Sequence, residues 1–248
     1  TIPASVTSIG EAPFSTDSLK HIYFLGDAPT SLHYAAFWEM GVVTAHISAT
    51  ATGFGNGQTW NEMVISICSS PRVWGAKAGD GRVTVGMWAP IRTGGLAVLG
   101  YEYTLDNGAS WSRVDASSTE LRQVITGLTN GVRYTGMIRA VTLTGAGKSS
   151  RAFSFTPMSV PSKPVTFTAI AGPKSIALEF ATPVSDGGSP ITRYGYSVNG
   201  GPWKSIGTKK SAVIKNLTNG TSYSVRVVAQ NAVGLGEPSE SVNVTPVK

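Results

Sequence analysis

The sequence is poor in cysteine, in charge and in long apolar segments. One cysteine, Cys68, stands among 248 residues, so no intrachain disulfide can form. Charged residues make up 14% of the chain and hydrophobic residues 41%, which excludes the composition of a disordered protein. No apolar run approaches the roughly 18–20 residues that a membrane helix needs, so membrane insertion is not predicted for these residues.

No secretion signal is predicted within these residues, because Thr1 to Pro3 begin no basic and apolar leader. Thr1 opens in the middle of a sequence repeat, so we interpret the chain as a trimmed or processed fragment of a larger protein. Turn-forming residues are plentiful. The chain has 29 glycines and 14 prolines between segments dense in β-branched residues, a pattern typical of an all-β protein.

Charge is distributed unevenly along the chain. Residues 1–71 carry one lysine and five acidic residues, whereas residues 72–160 carry ten basic and five acidic ones, and residues 161–248 carry nine and four. A mildly basic surface fits an anionic cell envelope or glycan. The cations are scattered singly apart from Lys209-Lys210. Nucleic-acid binding is therefore not predicted, since nucleic-acid readers cluster their cations among aromatic residues.

The chain contains an internal duplication after residue 71. The two copies share glycines, tyrosines and a Leu-Thr-Asn-Gly motif, first at a shift of 93 residues and later at a shift of 89. The shift changes within Gly- and Ser-rich stretches, where loops tolerate insertions. The matching positions are Gly79/Gly172, Gly94/Gly187, Tyr101/Tyr194, Tyr103/Tyr196, Trp111/Trp203, Leu128/Leu217, Tyr134/Tyr223, Gly145/Gly234, Gly147/Gly236 and Pro157/Pro246.

Each copy predicts strands and tight turns in the same order. Val83, Val85 and Met87 alternate with small or polar residues, which indicates a strand with one buried face. Asp106-Asn107-Gly108 and Asn199-Gly200-Gly201 predict hairpin turns, because Asn and Gly accept the positive φ that such turns need.

Two stretches resemble bacterial fibronectin type III domains. Residues 217–234 are similar to the E–F turn and F strand of that family, and residues 186–194 to its B–C loop and C strand. The resemblance covers residues 72–248 and implies two tandem β-sandwiches, at 72–160 and 161–248. It also implies that Tyr134 and Tyr223 form tyrosine corners, in which the hydroxyl ties the turn to upstream backbone.

One departure from the family concerns the core of each sandwich. Met87 and Phe180 stand where the family has a tryptophan on strand B. Both are apolar, so the fold is expected to persist with different packing. Trp88 lies one position further along, and we expect it to face outward or toward a neighbour.

The first 71 residues follow a different pattern. Ile2, Ile9 and Phe14 recur 23 residues later as Leu25, Leu32 and Phe37. This stretch resembles the leucine-rich repeats of bacterial surface antigens, which implies a leucine-rich-repeat stub closed by a β cap over residues 42–67. Two turns are few for a solenoid, so we expect further repeats upstream or a partner that covers the open end.

Residues that could carry catalysis or hold a metal are not arranged in any motif. His21, His33 and His46 form neither an H-E-x-x-H nor a Cys–His pattern, and we interpret them as surface or strand-edge residues. Cys68 has no predicted base beside it. Turn aspartates such as Asp106 and Asp186 are expected to cap their own backbone rather than bind calcium. No enzyme activity, cofactor or metal is predicted.

Tryptophans are the candidate interaction residues. Trp111 and Trp203 each follow a hairpin turn, and an exposed tryptophan can stack on a sugar ring or anchor an interface. The alternative is that each one covers its own sandwich face against Tyr103 or Tyr196. Trp88 joins them as the third candidate.

Together these features predict a mainly β, non-enzymatic module of a bacterial surface protein, extracellular and structural or adhesive. Its expected partners are proteins or cell-envelope glycan. Two alternatives stay open: a self-assembling subunit of a filament, sheath or virion decoration, and the accessory glycan-binding region of a secreted hydrolase.

Overall fold

The structure is a computed structural model that describes residues 1–14, 18–37, 40, 42–114 and 121–248. It divides the chain into two compact units. The first consists of Thr1–Lys77, Thr84–Ile125 and Tyr134–Phe155, and the second of Ala78–Val83, Thr126–Arg133 and Thr156–Lys248. The described residues form strands, bridges and turns, with no helix among them, so the predicted all-β class is confirmed.

Short strands follow one another in the N-terminal part of the first unit. They are β1 (Ser8–Ile9), β2 (His21–Tyr23), β3 (Ser31–Leu32), β4 (Thr44–Ile47), β5 (Thr59–Trp60) and β6 (Met63–Ile67). Two parallel ladders arise from them. β1 pairs with β3, and β2 pairs with β4, which in turn pairs with β6. The antiparallel strand β5 covers the other edge of β6.

The register of these ladders reproduces the 23-residue sequence period. Ser8 pairs with Ser31 and His21 with Thr44, so the chain returns to the same place every 23 residues. The spacing in sequence is shorter at the next strand pair, because Thr44 pairs with Val64. Residues 42–67, predicted to be a separate cap, therefore continue the parallel ladder before β5 closes it. Parallel pairing requires only that strands return in line, so the loops between them can differ in length.

An aromatic cluster fills the inside of this ladder. Phe24 is 1% exposed and meets Phe54 and Trp60 edge-on, at ring distances of 5.0 and 5.5 Å. Ala45 and Ile47 of β4 belong to the same cluster, as does Val43 just before that strand.

The first sandwich follows at residue 72. Its strands are β7 (Arg72–Gly79), β8 (Arg82–Trp88), β9 (Gly100–Thr104), β10 (Ser112–Arg113), β11 (Arg122–Ile125), β12 (Tyr134–Thr142), β13 (Gly145–Ala146) and β14 (Phe153–Phe155). One sheet has the order β11-β8-β7, and the other has the order β10-β9-β12-β13, with β14 pairing on β12.

The second sandwich repeats that arrangement. Its strands are β15 (Val165–Gly172), β16 (Ser175–Ala181), β17 (Arg193–Val198), β18 (Lys204–Gly207), β19 (Ser211–Lys215), β20 (Tyr223–Gln230) and β21 (Val242–Val244). Their sheets have the orders β15-β16-β19 and β18-β17-β20-β21. The duplication predicted from sequence is thus a duplication of strand order and of sheet composition.

The core positions predicted to replace the family tryptophan are buried. Met87 is fully buried beside Tyr101 and Ile138, and Phe180 is 5% exposed with its ring edge-on to Tyr194. Trp88 is 51% exposed, so the prediction that it faces outward is confirmed. Alternation along β8 explains both results, because Met87 and Trp88 lie on opposite faces of the strand.

The predicted turns and one tyrosine corner are present. Asn107 and Gly108 in the first sandwich, and Asn199 and Gly200 in the second, all have positive φ, as the hairpin prediction requires. The hydroxyl of Tyr223 accepts a hydrogen bond from the amide of Thr218, five residues upstream, at 3.0 Å.

Candidate functional site

Trp88 lies at the end of β8 beside an arginine. The guanidinium carbon of Arg72 is 5.1 Å from the centre of the indole ring, which is the distance of a cation–π contact. Half of the side chain is open to solvent. Of the three predicted tryptophans, Trp88 therefore combines the largest exposed surface with a neighbouring cation.

Trp111 is covered by an ion pair. The guanidinium of Arg139 lies 3.9 Å from its ring centre and forms a 2.8 Å salt bridge with Glu102, and both charged side chains are largely buried. Trp111 therefore packs on its own sandwich, under Arg139.

Trp203 occupies the matching place in the second sandwich without such a cover. The repeat shifts place Gly195 and Val228 where the first sandwich has Glu102 and Arg139. Trp203 is 37% exposed and borders two shallow clefts of about 280 and 270 Å³, one of them also lined by Arg226. The structure does not bring the three predicted tryptophans together at one site.

A fourth tryptophan, Trp74 on β7, was missed by sequence reasoning. It is 48% exposed, and its ring lies flat over Gly86, where a Cβ would meet ring carbons at 2.3 Å. The guanidinium of Arg122 is 5.1 Å from the ring centre. The signal in the sequence is the Arg-x-Trp spacing at residues 72–74 together with a glycine in the middle of β8.

An arginine cleft of about 840 Å³ lies next to Arg72. We use this name for the cavity lined by Ser69, Ser70, Pro71, Arg72, Val73, Ile91, Arg92, Arg151, Ala152 and Phe153. All of these residues belong to the first unit. The lining includes three exposed arginines and no acidic residue. Among the described residues, none of the three arginines forms a salt bridge.

The loops of the first sandwich hold the segment that precedes it. The amide of Lys148 donates to the carbonyl oxygen of Cys68 at 2.9 Å, and Ser69 and Arg92 exchange two hydrogen bonds of 2.8 and 3.1 Å. Gly147 approaches so closely that a Cβ would lie 2.9 Å from Cys68. We call this arrangement the first junction.

The ladder contributes a further contact to the first junction. The amide of Ala49 and the hydroxyl of Ser48 both donate to the carbonyl oxygen of Ala146, at 2.7 and 3.0 Å. The turn after β4 is thus bound directly to β13, within the first unit.

The second sandwich holds its preceding segment in the same way. The amide of Glu237 donates to the carbonyl oxygen of Pro161 at 3.2 Å, and Ser162 and Ser185 exchange hydrogen bonds of 3.0 and 3.1 Å. A Cβ on Gly236 would lie 2.2 Å from the oxygen of Pro161. These residues form the second junction, and they match those of the first at the repeat shifts.

Asn231 strengthens the second junction. Its side-chain amide donates to the carbonyl oxygens of Ser159 and Asp186, at 2.7 and 2.8 Å. Asn231 is buried, as Thr142 is at the matching position of the first sandwich. The side-chain amide of Asn231 therefore joins the segment before the second sandwich to the loop between β16 and β17.

Titratable groups with shifted pKa values have structural explanations. Hydrogen bonds from Ser110 and Thr104 hold the pKa of Asp106 far below its usual value, so this carboxylate caps its own turn as predicted. Burial raises the pKa of Cys68, so its thiol stays protonated at neutral pH. Searched over the described residues, the chain holds no group of three His, Cys, Asp or Glu side chains that could bind a metal.

His46 corrects a prediction. It is 3% exposed on the central strand β4, not at a surface or a strand edge, because β2 and β6 flank that strand and Gly94 closes over the imidazole ring. Its Nε2 lies 3.0 Å from Nδ1 of His21. Burial, and secondarily the charge of His21, lower the pKa of His46.

None of the described elements is a helix of the length and apolarity needed to cross a membrane.

Comparison with known proteins identifies one domain of the chain. Residues 159–245 match the sequence profile of the fibronectin type III domain. This match covers the second sandwich, so the implied fold of that segment is confirmed. The comparisons show neither leucine-rich repeats nor a bacterial origin.

Curated relatives match parts of the chain. Human Myomesin-2 is 31% identical over 180 residues, which is 64% of this chain and 12% of that protein. A Kelch domain-containing protein of Saccharolobus solfataricus is 27% identical over 171 residues, or 68% of this chain and 23% of its own length. The cell adhesion molecule Dscam1 of Drosophila melanogaster is 33% identical over 79 residues, or 29% of this chain and 4% of that protein. The chain thus spans less than a quarter of the length of each of these relatives.

Among solved structures, the chicken CNTN1 FN1–FN3 domains align with 73% of this chain and 69% of their own, at 17% identity and a TM-score of 0.41.

Proposed function

We propose that this chain is a non-enzymatic structural and adhesive module of an extracellular protein on a bacterial surface. The observation that carries the proposal is the duplicated junction. Each sandwich binds the segment before it through the same loops, with matching hydrogen bonds around Cys68 and Pro161. A set of hydrogen bonds that recurs in both sandwiches is suited to connecting successive domains along a chain.

The relatives support a structural or adhesive role. Myomesin-2 and Dscam1 match this chain over 180 and 79 residues, and the name of the second describes a cell adhesion molecule. The domain organisation we propose is 1–71, 72–160 and 161–248. The 23-residue parallel ladder supports the assignment of residues 1–71 to the leucine-rich-repeat class, because a solenoid stacks its repeats in this way.

Labelling of intact cells tests the location. Antibodies raised against this chain are expected to stain intact cells of the source organism, and treatment of whole cells with proteinase K should remove the stain. A cytoplasmic protein assayed in parallel controls for cell integrity. Staining that appears only after permeabilisation would contradict the proposal.

A second candidate, the accessory glycan-binding region of a secreted hydrolase, is favoured by the arginine cleft and by the exposed indole of Trp88 beside it. Both candidates place this chain outside the cell and assign it no covalent chemistry. They differ in the protein to which the module is attached.

A further inference from the structure

The arginine cleft has the size and the lining of a ligand site. Its volume of about 840 Å³ falls within the range of known small-ligand pockets, roughly 300–1,000 Å³. Arg72, Arg92 and Arg151 come from strand β7, from the loop after β8 and from the segment before β14. Three separate segments therefore direct cations at one cavity.

Among the described residues, the arginines of this cavity have no acidic partner. The described lining contains no carboxylate, so these cations are left to attract an anion from outside the protein. Guanidinium groups bind carboxylates through two parallel hydrogen bonds, and several of them together would favour a ligand with repeated negative charges.

The cleft also offers groups suited to a sugar. Ser69 and Ser70 carry hydroxyls in its lining, and the guanidinium carbon of the lining residue Arg72 lies 5.1 Å from the ring centre of the half-exposed Trp88. A pyranose ring has an apolar face that packs on an indole, and its hydroxyls match serine hydroxyls. We propose that the arginine cleft, together with Trp88 beside its lining residue Arg72, binds a carboxylated polysaccharide.

The second sandwich carries the same fold without this chemistry. The repeat shifts place Val165, Ala181, Ser185 and Glu240 where the first sandwich has Arg72, Trp88, Arg92 and Arg151. Glu240 is moreover paired with Lys163 at 2.9 Å. Because none of the four groups is needed to build the sandwich, their presence in the first copy points to a ligand.

Affinity electrophoresis on gels that contain polygalacturonate tests the proposal on the whole chain. Wild type is expected to be retarded, with less retardation as salt rises, whereas gels with neutral dextran leave its mobility unchanged. The double variant Arg92→Gln/Arg151→Gln should bind at least about tenfold more weakly for each arginine removed, since hydrogen bonds to charged groups are among the strongest. Trp88→Ala should also weaken binding.

A matched control separates the site from net charge. Lys209→Gln/Lys210→Gln removes two positive charges from exposed residues of the second sandwich and should bind as wild type does. An unchanged circular dichroism spectrum and thermal midpoint show that each variant is folded. Equal binding by both double variants would overturn the proposal, as would no binding by wild type. Tighter binding to single-stranded DNA or to dextran sulfate would overturn the assignment of a carboxylated polysaccharide.

This inference extends the adhesive part of the proposed function and rests on it for access to glycan. The two can fail separately. Retardation of purified protein together with a lack of cell-surface staining would keep the site and reject the location, and the reverse result would keep the location and reject the site.

Discussion

The two sandwiches share one backbone plan and differ in the chemistry that they present. Both have a three-stranded sheet facing a larger one, and both hold their preceding segment through matching hydrogen bonds. On the first sandwich, tryptophans lie beside arginines at Trp74, Trp88 and Trp111. On the second, the matching positions are Phe167, Ala181 and Trp203, with no cation–π contact among the described residues. The two copies therefore share their backbone framework and differ in their surface side chains.

This contrast distinguishes what holds the modules together from what they can bind. The junction glycines and the matching serines Ser69 and Ser162 are common to both copies, so they belong to the framework. The arginine cleft occurs in one copy only, so it belongs to the surface. A substitution in the framework should act on stability, and a substitution in the cleft should act on binding.

We expect the largest effect from substitutions that add a side chain to the closely packed glycines of the two junctions. A Cβ on Gly236 would lie 2.2 Å from a backbone oxygen of Pro161, whereas a Cβ on Gly147 would lie 2.9 Å from Cys68. We expect Gly236→Val to lower the free energy of unfolding by about 1–3 kcal/mol, as overpacking does, and Gly147→Val to cost less. Denaturant unfolding measures the loss of stability in both variants, and the rate of thermolysin cleavage at residues 157–163 measures opening of the second junction.

The control for this pair is Gly75→Val, because a Cβ at Gly75 meets nothing within 4 Å. This variant should be cleaved like wild type. Equal resistance of Gly236→Val and wild type to thermolysin would show that the second junction accommodates the larger side chain without loss of stability. This result would contradict the close packing described above.

The sequence predicted those parts of the fold that local rules determine. Alternation along β8 placed Met87 inside and Trp88 outside, and the Asp-Asn-Gly turn follows from the backbone freedom of Asn107 and Gly108. The resemblance of residues 217–234 to fibronectin type III domains implied the hydrogen bond of Tyr223 that closes the tyrosine corner. Each of these features depends on residues close together in the chain.

The candidate site was not predictable in the same way. Arg72, Arg92 and Arg151 are separated by up to 79 positions and look like scattered single cations until the loops bring them together. The burial of His46 was missed for a related reason. A histidine in a short strand gives no sign of whether that strand is central or at an edge, because this depends on partners 20 or more residues away.

A smaller effect should distinguish the N-terminal ladder from the second sandwich by pH. All three histidines lie within the first 46 residues, and the pKa of His46 is lowered from its usual 6.5 by burial and by His21. A lowered folded-state pKa means that the unfolded chain binds the proton more readily below pH 6.5. Stability from this group is therefore complete above that pH and is lost as the pH falls.

Hydrogen exchange at pH 7 and pH 5.5 measures this difference. After correction for intrinsic exchange rates, protection should fall in β2 and β4 and stay constant in β17 and β20, which contain no histidine. His46→Gln should remove the change with pH. Equal loss of protection in both regions would show that His46 is not the group responsible.

The smallest effects should come from two ion pairs in different surroundings. Arg139 and Glu102 are 15% and 19% exposed, whereas Lys163 and Glu240 are 49% and 88% exposed. Glu102→Gln removes the carboxylate charge opposite a largely buried guanidinium over Trp111 and leaves only a neutral acceptor, so it should cost about 1–2 kcal/mol. Water and salt screen the second pair, so Glu240→Gln should leave the unfolding midpoint unchanged. Denaturant unfolding at low and high salt compares the two variants. A loss at Glu240 as large as the loss at Glu102 would mean that burial does not determine the contribution of these pairs.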